Sequence, residues 1–164
     1  MFHLTGMETT VLALSLKVSL VSLALTLPAA LLLAWLLARC RFPGKSLLNG
    51  LVHLPLVLPP VVTGFLLLLV FGRNQPVGGW LESTLGLQLA FHWTGAVLAV
   101  AIISLPLAVD AMRLSLETMN RKLETAAATL GATPARVFAT ITLPLLLPGI
   151  LTGSILAFAR AIGE

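Results

Sequence analysis

Four long stretches without a charged residue constrain the fold most strongly. Residues 18–38, 46–72, 94–109 and 137–159 contain no Asp, Glu, Lys or Arg. A helix needs about 20 apolar residues to cross a hydrocarbon core of about 30 Å, and each stretch approaches or exceeds that length. Only 10% of the chain is charged, against roughly a quarter in soluble domains. The sequence therefore predicts an all-α integral membrane protein, built as a polytopic helical bundle.

The residues at the ends of these stretches place the spans. The second stretch contains Pro55, Pro59 and Pro60, so we expect its span to be entered through a broken helix. The third stretch ends at Asp110, and the fourth span begins near Leu143. We predict one membrane domain over residues 1–164, with spans at about 14–38, 47–71, 94–112 and 143–162 and a loop at about 113–142.

The basic residues predict how the chain is oriented. Seven of the ten Lys and Arg residues follow the first or the third span: Arg39, Arg41, Lys45, Arg113, Arg121, Lys122 and Arg136. Short cytoplasmic loops are enriched in Lys and Arg, so the N-terminus should lie outside and residues 113–142 in the cytoplasm. The same basic residues are scattered and are not flanked by exposed aromatics, which argues against nucleic acid as a partner.

The sequence shows no arrangement of catalytic or metal-binding residues. The three histidines lie far apart, without a spacing that would put two ligands on one helix face: His3, His53 and His92. The single cysteine, Cys40, excludes an intramolecular disulfide. The string "PGKS" at 43–46 lacks the first glycine of a phosphate-binding loop, because Arg39 stands there. We therefore expect no catalytic residue, no metal and no cofactor, and a protein that is not an enzyme.

His53 allows two interpretations. It precedes the proline-rich break and would either line a pathway or simply be hydrogen-bonded to the backbone. The second interpretation is favoured, because buried polar groups generally find such partners.

A less apolar stretch, "LETAAATLGATPARVFATITLPLLLPG" at residues 123–149, interrupts the membrane-like sequence. Asn120 can cap a helix, and Gly131 stands where a left-handed residue would end it. Thr133 followed by Pro134 then favours the start of a second helix. The stretch is predicted to form a helix, a glycine turn and another helix.

The first of these helices has the features of a docking surface. Ala126 and Ala127 leave its surface smooth, and we expect Glu124 to project a charge beside Arg121 and Lys122. The alternative is a connector that lies on lipid headgroups, but such a helix usually carries large apolar residues on one face.

The spacing Glu124, Ala126, Ala127, Gly131, then Ile141-x-Leu143-Pro144 resembles the EAA loop in membrane subunits of bacterial ABC importers. The family motif has Glu directly before the two alanines, whereas here Thr125 intervenes, and the register from glycine to Ile-x-Leu-Pro is intact. The resemblance implies the type I importer permease fold. It also implies that the first loop helix is a coupling helix, seated in a groove of a separate cytoplasmic ATPase subunit.

Two further segments resemble the molybdate permease branch of that family. They are "ARCRFPGKSLLNGLVHLPLVLPPVVTGFLLL" and "ITLPLLLPGILTGSILAFARAIGE". The resemblance implies a homodimer in the bacterial inner membrane, surrounded by membrane lipid, with two ATPase subunits and a periplasmic oxyanion-binding protein. A permease for sulfate, thiosulfate or tungstate is the alternative, and a channel or secondary transporter without an ATPase is the alternative from another class. The family continues past "IGE", so a fifth span is expected beyond the last residue.

Two pairs of residues within the spans are further candidates. Gly149 and Gly153 form a GxxxG pair that lets two helices approach closely, although Gly149 would equally relieve the proline before it. Lys17 and Arg160 would cost roughly 2.5 to 3.5 kcal/mol each at the centre of a span. We therefore expect both near an interface or a wet cavity, where they would raise the local anion concentration.

Overall fold

The computed structural model describes residues 6–72, 75–85 and 92–163, and the regular elements in this part of the chain are all helical. They are α1 (Gly6–Arg39), α2 (Lys45–Val57), α3 (Pro60–Phe71), α4 (Pro76–Leu85), α5 (Trp93–Thr118), α6 (Arg121–Thr129), α7 (Pro134–Val137), a π-helix (Phe138–Thr142) and α8 (Leu143–Gly163). The predicted all-α fold class is confirmed. Three of the helical segments are long and apolar enough to cross a membrane, or four if α2 and α3 together form one span.

Helix α1 packs on α5 through small and hydroxyl-bearing side chains. Ser19, Ser22 and Thr26 are each only 1% exposed. The Thr26 hydroxyl donates to the Ser22 carbonyl over 2.7 Å and to the Ala101 carbonyl of α5 over 3.4 Å. Small residues let helix backbones approach, and a hydroxyl bonded to backbone carbonyls can be buried without loss of its hydrogen bond.

Helices α1 and α5 run in the same direction. Lys17 meets Trp93 at one end of the pair, and Thr26 meets Ala101 further along. The chain must therefore return along the bundle between these two helices. Helix α2 begins that return, because Asn49 contacts Arg113 and the later residue His53 contacts the earlier Asp110. Helices α2 and α3 are the second pass in chain order if together they form one span.

A break lies between α2 and α3, and the two helices are bent by 119° relative to each other, as in a broken span or a re-entrant loop. Leu58 is extended, with φ −75° and ψ 139°, as the residue before a proline prefers to be. Pro60 then occupies the first turn of α3, where its missing N–H leaves no hydrogen bond unmade. Pro55, by contrast, lies within α2.

Helix α8 runs antiparallel to α5 and closes the bundle. Gly149 lies against Ala111 and Ser115, and Gly153, further along α8, lies against the earlier residue Ala108. The fully buried large side chains lie where α1, α5 and α8 meet. They include Leu37, Val109, Met112, Leu116 and Leu146.

Several helices extend beyond the predicted spans. Helix α1 begins at Gly6 rather than near residue 14, and α5 continues to Thr118, past residue 112. A further helix, α4, lies between the second and third predicted spans. The charge-free stretches report how far a helix is apolar, and they do not mark where its backbone stops being helical.

Candidate functional site

The segment between α5 and α8 has the local structure that its sequence predicts. The Asn120 side chain accepts a hydrogen bond of 3.0 Å from the backbone N–H of Lys122 and so caps α6. Gly131 has φ +85°, and its N–H donates to the Ala128 carbonyl. The N–H of Ala132 donates to the Ala127 carbonyl over 3.1 Å. This pair of bonds is the Schellman motif, which holds a helix end and the following turn in one geometry.

The second part of the turn also agrees with the sequence. Thr133 is the N-cap residue of α7, and Pro134 is its first residue. The four residues of α7 lead directly into the π-helix Phe138–Thr142 and then into α8. In that wider turn the N–H of Leu143 donates to the Phe138 carbonyl, five residues earlier. Pro144 follows immediately and has no N–H to donate to the preceding turn.

Helix α6 presents an open surface. None of its nine residues is buried. Leu130, which follows its last turn, is 88% exposed, and Leu123 is 48% exposed. Ala126 is exposed and Ala127 half-buried, so the alanines of the motif lie at the edge of this surface. A helix with so little buried area depends on specific polar contacts to hold its position.

Glu124 makes those contacts, and its partners lie outside α6. Its two carboxylate oxygens accept hydrogen bonds of 2.8 Å each from the two terminal nitrogens of Arg39 at the end of α1. The Thr142 hydroxyl donates to the same carboxylate over 2.6 Å. The Arg39 and Glu124 side chains are only 11% and 19% exposed. The Glu124 carboxylate is therefore paired with a residue 85 positions away in the sequence, and its position beside Arg121 and Lys122 stays a prediction.

A cleft of about 460 Å³ lies between α1, α6, α7 and the π-helix. Arg39 and Glu124 line it, and Trp35 and Phe138 pack edge to face beside them with ring centroids 5.4 Å apart. The Arg39 guanidinium also lies over the Trp35 ring, 5.5 Å from its centroid. The remaining lining residues are small or apolar except for two threonines: Thr125, Ala128, Ala132, Pro134, Val137 and Thr142.

The other residues of the expected motif lie at the junction with the bundle. Ile141 is half-buried within the π-helix, and Leu143 and Pro144 open α8. Glu124 therefore lies close to the 141–144 part of the motif, because Thr142 binds its carboxylate. Ala126 and Gly131 are exposed and Ala127 is half-buried, away from that contact.

The candidate glycines and cations lie in the body of the bundle. Gly149 and Gly153 make a close approach within one chain, to α5. The Lys17 ammonium lies 4.4 Å from the centroid of the Trp93 ring. Arg160 is half-buried in the last turn of α8. A role for the two cations in attracting anions stays a prediction.

A polar network between α2 and α5 was not predicted from the sequence. His53 Nδ1 lies 2.8 Å from the Asn49 carbonyl, as the favoured interpretation required, and its Nε2 lies 2.9 Å from Asp110. Arg113 donates to the Asn49 side chain over 2.9 Å and to Glu117 over 2.7 Å. The sequence could indicate only which residues share a helix face: Asn49 and His53 are four residues apart and lie on the same side of α2. It does not indicate which residues of α5 they contact. Within the described residues, no group of three or more His, Cys, Asp or Glu side chains could hold a metal ion.

The described part of the chain is thus a bundle of membrane-length helices with an exposed helix, α6, and a glycine turn at one end. The chain belongs to the family described as binding-protein-dependent transport system inner membrane component, which matches residues 14–164. It is therefore an inner-membrane subunit of an ABC importer and not an enzyme, and the family implies an ATPase and a binding protein as partners.

Individual relatives carry more specific names. The chain is 56% identical over 158 residues to the molybdenum transport system permease protein ModB of Haemophilus influenzae, covering 96% of this chain and 69% of that protein. It is also 56% identical over 161 residues to the ModB protein of Escherichia coli K12, covering 98% and 70%. The sulfate transport system permease protein CysW of Escherichia coli K12 is 37% identical over 151 residues, covering 92% and 52%.

Proposed function

We propose that this chain is the permease subunit of an ATP-driven molybdate importer, in which it forms the translocation path and couples it to a separate ATPase. The observation that carries the proposal is the 56% identity to two molybdenum permeases over almost the whole chain, against 37% to a sulfate permease. The similarity includes the loop between α5 and α8, so it extends to the part that would meet the ATPase.

Helix α6 is the proposed coupling helix. Its lack of buried residues and the 88% exposure of Leu130 leave it free to enter a groove on another subunit. The Schellman turn at Gly131 holds it at a set angle to α7, so that a push on α6 is passed on and not absorbed by a loose loop. The proposed docking residues are Ala126, Ala127 and Gly131, with Ile141, Leu143 and Pro144 at the junction with α8.

The proposed orientation puts α6 in the cytoplasm and the N-terminus outside. The parallel arrangement of α1 and α5 supports it, because the basic segments that follow these two helices then share one end of the bundle. Basic residues at one end are typical of the cytoplasmic side. Lys17 and Trp93 lie at the opposite end, where Lys17 would attract the incoming oxyanion delivered by a periplasmic binding protein.

A second copy of the chain is the proposed partner within the membrane. Asp110 is half-exposed beside His53, with side-chain exposures of 52% and 26%. Ionisable side chains in membrane segments generally face a bundle interior or a water-filled cavity rather than lipid. This face of α2 and α5 is therefore proposed to border the path between two copies.

Uptake of radiolabelled molybdate tests the function. A permease-null strain that carries this permease should take up the label, and excess tungstate but not excess sulfate should compete. The matched control is a strain that also lacks the ATPase gene, in which uptake should disappear. Equal competition by sulfate would contradict the molybdate assignment, and uptake without the ATPase would contradict the importer class.

A further inference from the structure

Three elements meet at the Glu124 carboxylate. Arg39 is the last residue of α1, Glu124 lies in α6, and Thr142 is the last residue of the π-helix that leads into α8. The bidentate contact uses both terminal nitrogens of the guanidinium, each at 2.8 Å, and the threonine adds a bond of 2.6 Å. Bidentate arginine–carboxylate pairs fix relative orientation as well as distance.

The surroundings hold this group in place. Thr142 is 1% exposed, and the Arg39 side chain is 11% exposed. One guanidinium nitrogen also contacts the Met119 sulfur at 3.6 Å, and the guanidinium lies over Trp35. A partly buried carboxylate that loses its cation keeps the cost of burial without the compensating attraction. The three residues are therefore a strong connection in a region where α6 contributes no buried side chain.

The carboxylate has little capacity left for a partner subunit. One oxygen accepts from Arg39 and from Thr142, and the other accepts from Arg39. A carboxylate has about four acceptor positions. Three are occupied here, which leaves about one for a residue of the ATPase. The exposed residues around Leu130 are more accessible to a partner.

We infer that Glu124 is a positioning residue inside the permease: with Arg39 and Thr142 it forms a strut that carries movement of α6 to α1 and to the start of α8. The inference rests on the proposed function, because it assumes that an ATPase moves α6. The only other contact of α6 with α1 that carries a hydrogen bond among the described residues is from Arg121 to the Ala38 carbonyl, at 3.3 Å. Without the strut, α6 would stay docked on the ATPase while its movement was lost before it reached the membrane helices.

The test uses the complete complex of permease, ATPase and binding protein in proteoliposomes, with molybdate as the probe. Three quantities are measured: co-purification of the ATPase, ATP hydrolysis, and molybdate imported per ATP hydrolysed. Glu124→Gln should retain the ATPase and its basal hydrolysis but lower import per ATP by about tenfold, within the usual range of coupling between sites. Glu117→Gln is the matched control, because it removes an exposed carboxylate that is also paired with an arginine, and it should leave all three quantities unchanged.

Two further variants separate a strut from a simple loss of stability. Arg39→Lys keeps the charge but cannot form the bidentate contact, so it should lower import per ATP less than Glu124→Gln does. The double variant Arg39→Gln with Glu124→Gln should be no worse than Glu124→Gln alone, because both changes remove the same interaction. Thr142→Val removes a single hydrogen bond without leaving a charge unpaired, and it keeps the inference testable if the charge variants fail to fold.

The outcomes distinguish the two proposals. Loss of ATPase co-purification in Glu124→Gln but not in Arg39→Gln would show that Glu124 contacts the ATPase directly, and the strut would be overturned. The strut would also be overturned if both single variants, Thr142→Val and Arg39→Lys, imported as much molybdate per ATP as the wild type. A wild-type complex that hydrolyses ATP but imports no molybdate would instead contradict the proposed function.

Discussion

At the scale of single residues, two glycines determine how closely α8 approaches α5. A Cβ atom added at Gly149 would lie 2.5 Å from the Ser115 Cβ and 3.0 Å from the Ala111 carbonyl oxygen. At Gly153 the nearest atom, the Ala108 carbonyl oxygen, would lie at 3.2 Å. Both distances are shorter than ordinary van der Waals contact, so the two helices could not keep this separation with larger residues.

The size of these contacts predicts an order of stability. Gly149→Ala should destabilise the permease by about 1 to 3 kcal/mol, the usual cost of an added methyl group in a well-packed interior. Gly153→Ala should cost less, because its contacts are longer. Gly50→Ala is the control, since a Cβ there meets nothing within 4 Å and alanine favours the helix. Thermal unfolding in detergent measures all three, and equal stability of Gly149→Ala and Gly50→Ala would contradict the close approach.

Contacts between residues that are close in the sequence were predictable, and contacts between residues on different helices of the bundle were not. The cap at Asn120 and the left-handed turn at Gly131 depend on a few adjacent residues, so their residue types predict them. Glu124 has charged neighbours in the sequence but binds Arg39, 85 residues away. That partner depends on how α6 lies against α1, which the local residue pattern around Glu124 does not indicate.

At the scale of elements, the turn between α6 and α7 sets the geometry of the proposed coupling helix. Gly131 has φ +85°, and a Cβ there would meet nothing within 4 Å. Its constraint is therefore conformational and not steric: the backbone must be left-handed, which costs most residues roughly 1 to 2 kcal/mol.

This constraint predicts opposite results for two substitutions of Gly131. Gly131→Pro should abolish co-purification of the ATPase while membrane insertion remains normal, because proline holds φ near −65° and cannot form the turn. Gly131→Asn is the matched control and should retain the ATPase, since asparagine tolerates the left-handed conformation. If Gly131→Pro still co-purified with the ATPase, the turn would not be what positions α6.

Elements were easier to predict than their boundaries. Prolines 59 and 60 indicated the break between α2 and α3 because proline restricts the residue before it. The early start of α1 was missed, since Glu8, Thr9 and Thr10 make the first turns polar although they are compatible with a helix. The π-helix was missed as well, because a wider turn leaves no periodic signal over only five residues.

At the scale of the whole molecule, the direction of each helix decides which loops share a side of the membrane. Helices α1 and α5 run parallel, so the segments that follow them lie at the same end of the bundle, as the contact between Arg39 and Glu124 requires. This arrangement puts the basic residues that follow α1 and α5 at the same end of the bundle. The proposed topology therefore has two independent supports: the basic residues favour the cytoplasmic side, and the contacts between helices put those residues at one end.

Labelling of single cysteines tests this topology in the membrane. In a background in which the only cysteine is removed by Cys40→Ala, three exposed positions are changed one at a time: Ser46→Cys, Ser83→Cys and Ala135→Cys. A membrane-impermeant maleimide should label Ser83→Cys in intact spheroplasts, and the other two only in inverted membrane vesicles. The reason is that Ser46 and Ala135 lie at the basic end of the bundle, whereas Ser83 follows the return through α2 and α3. If Ser46→Cys and Ser83→Cys were labelled from the same side, α2 and α3 would form a re-entrant hairpin, and the parallel packing of α1 and α5 could not exist in a membrane.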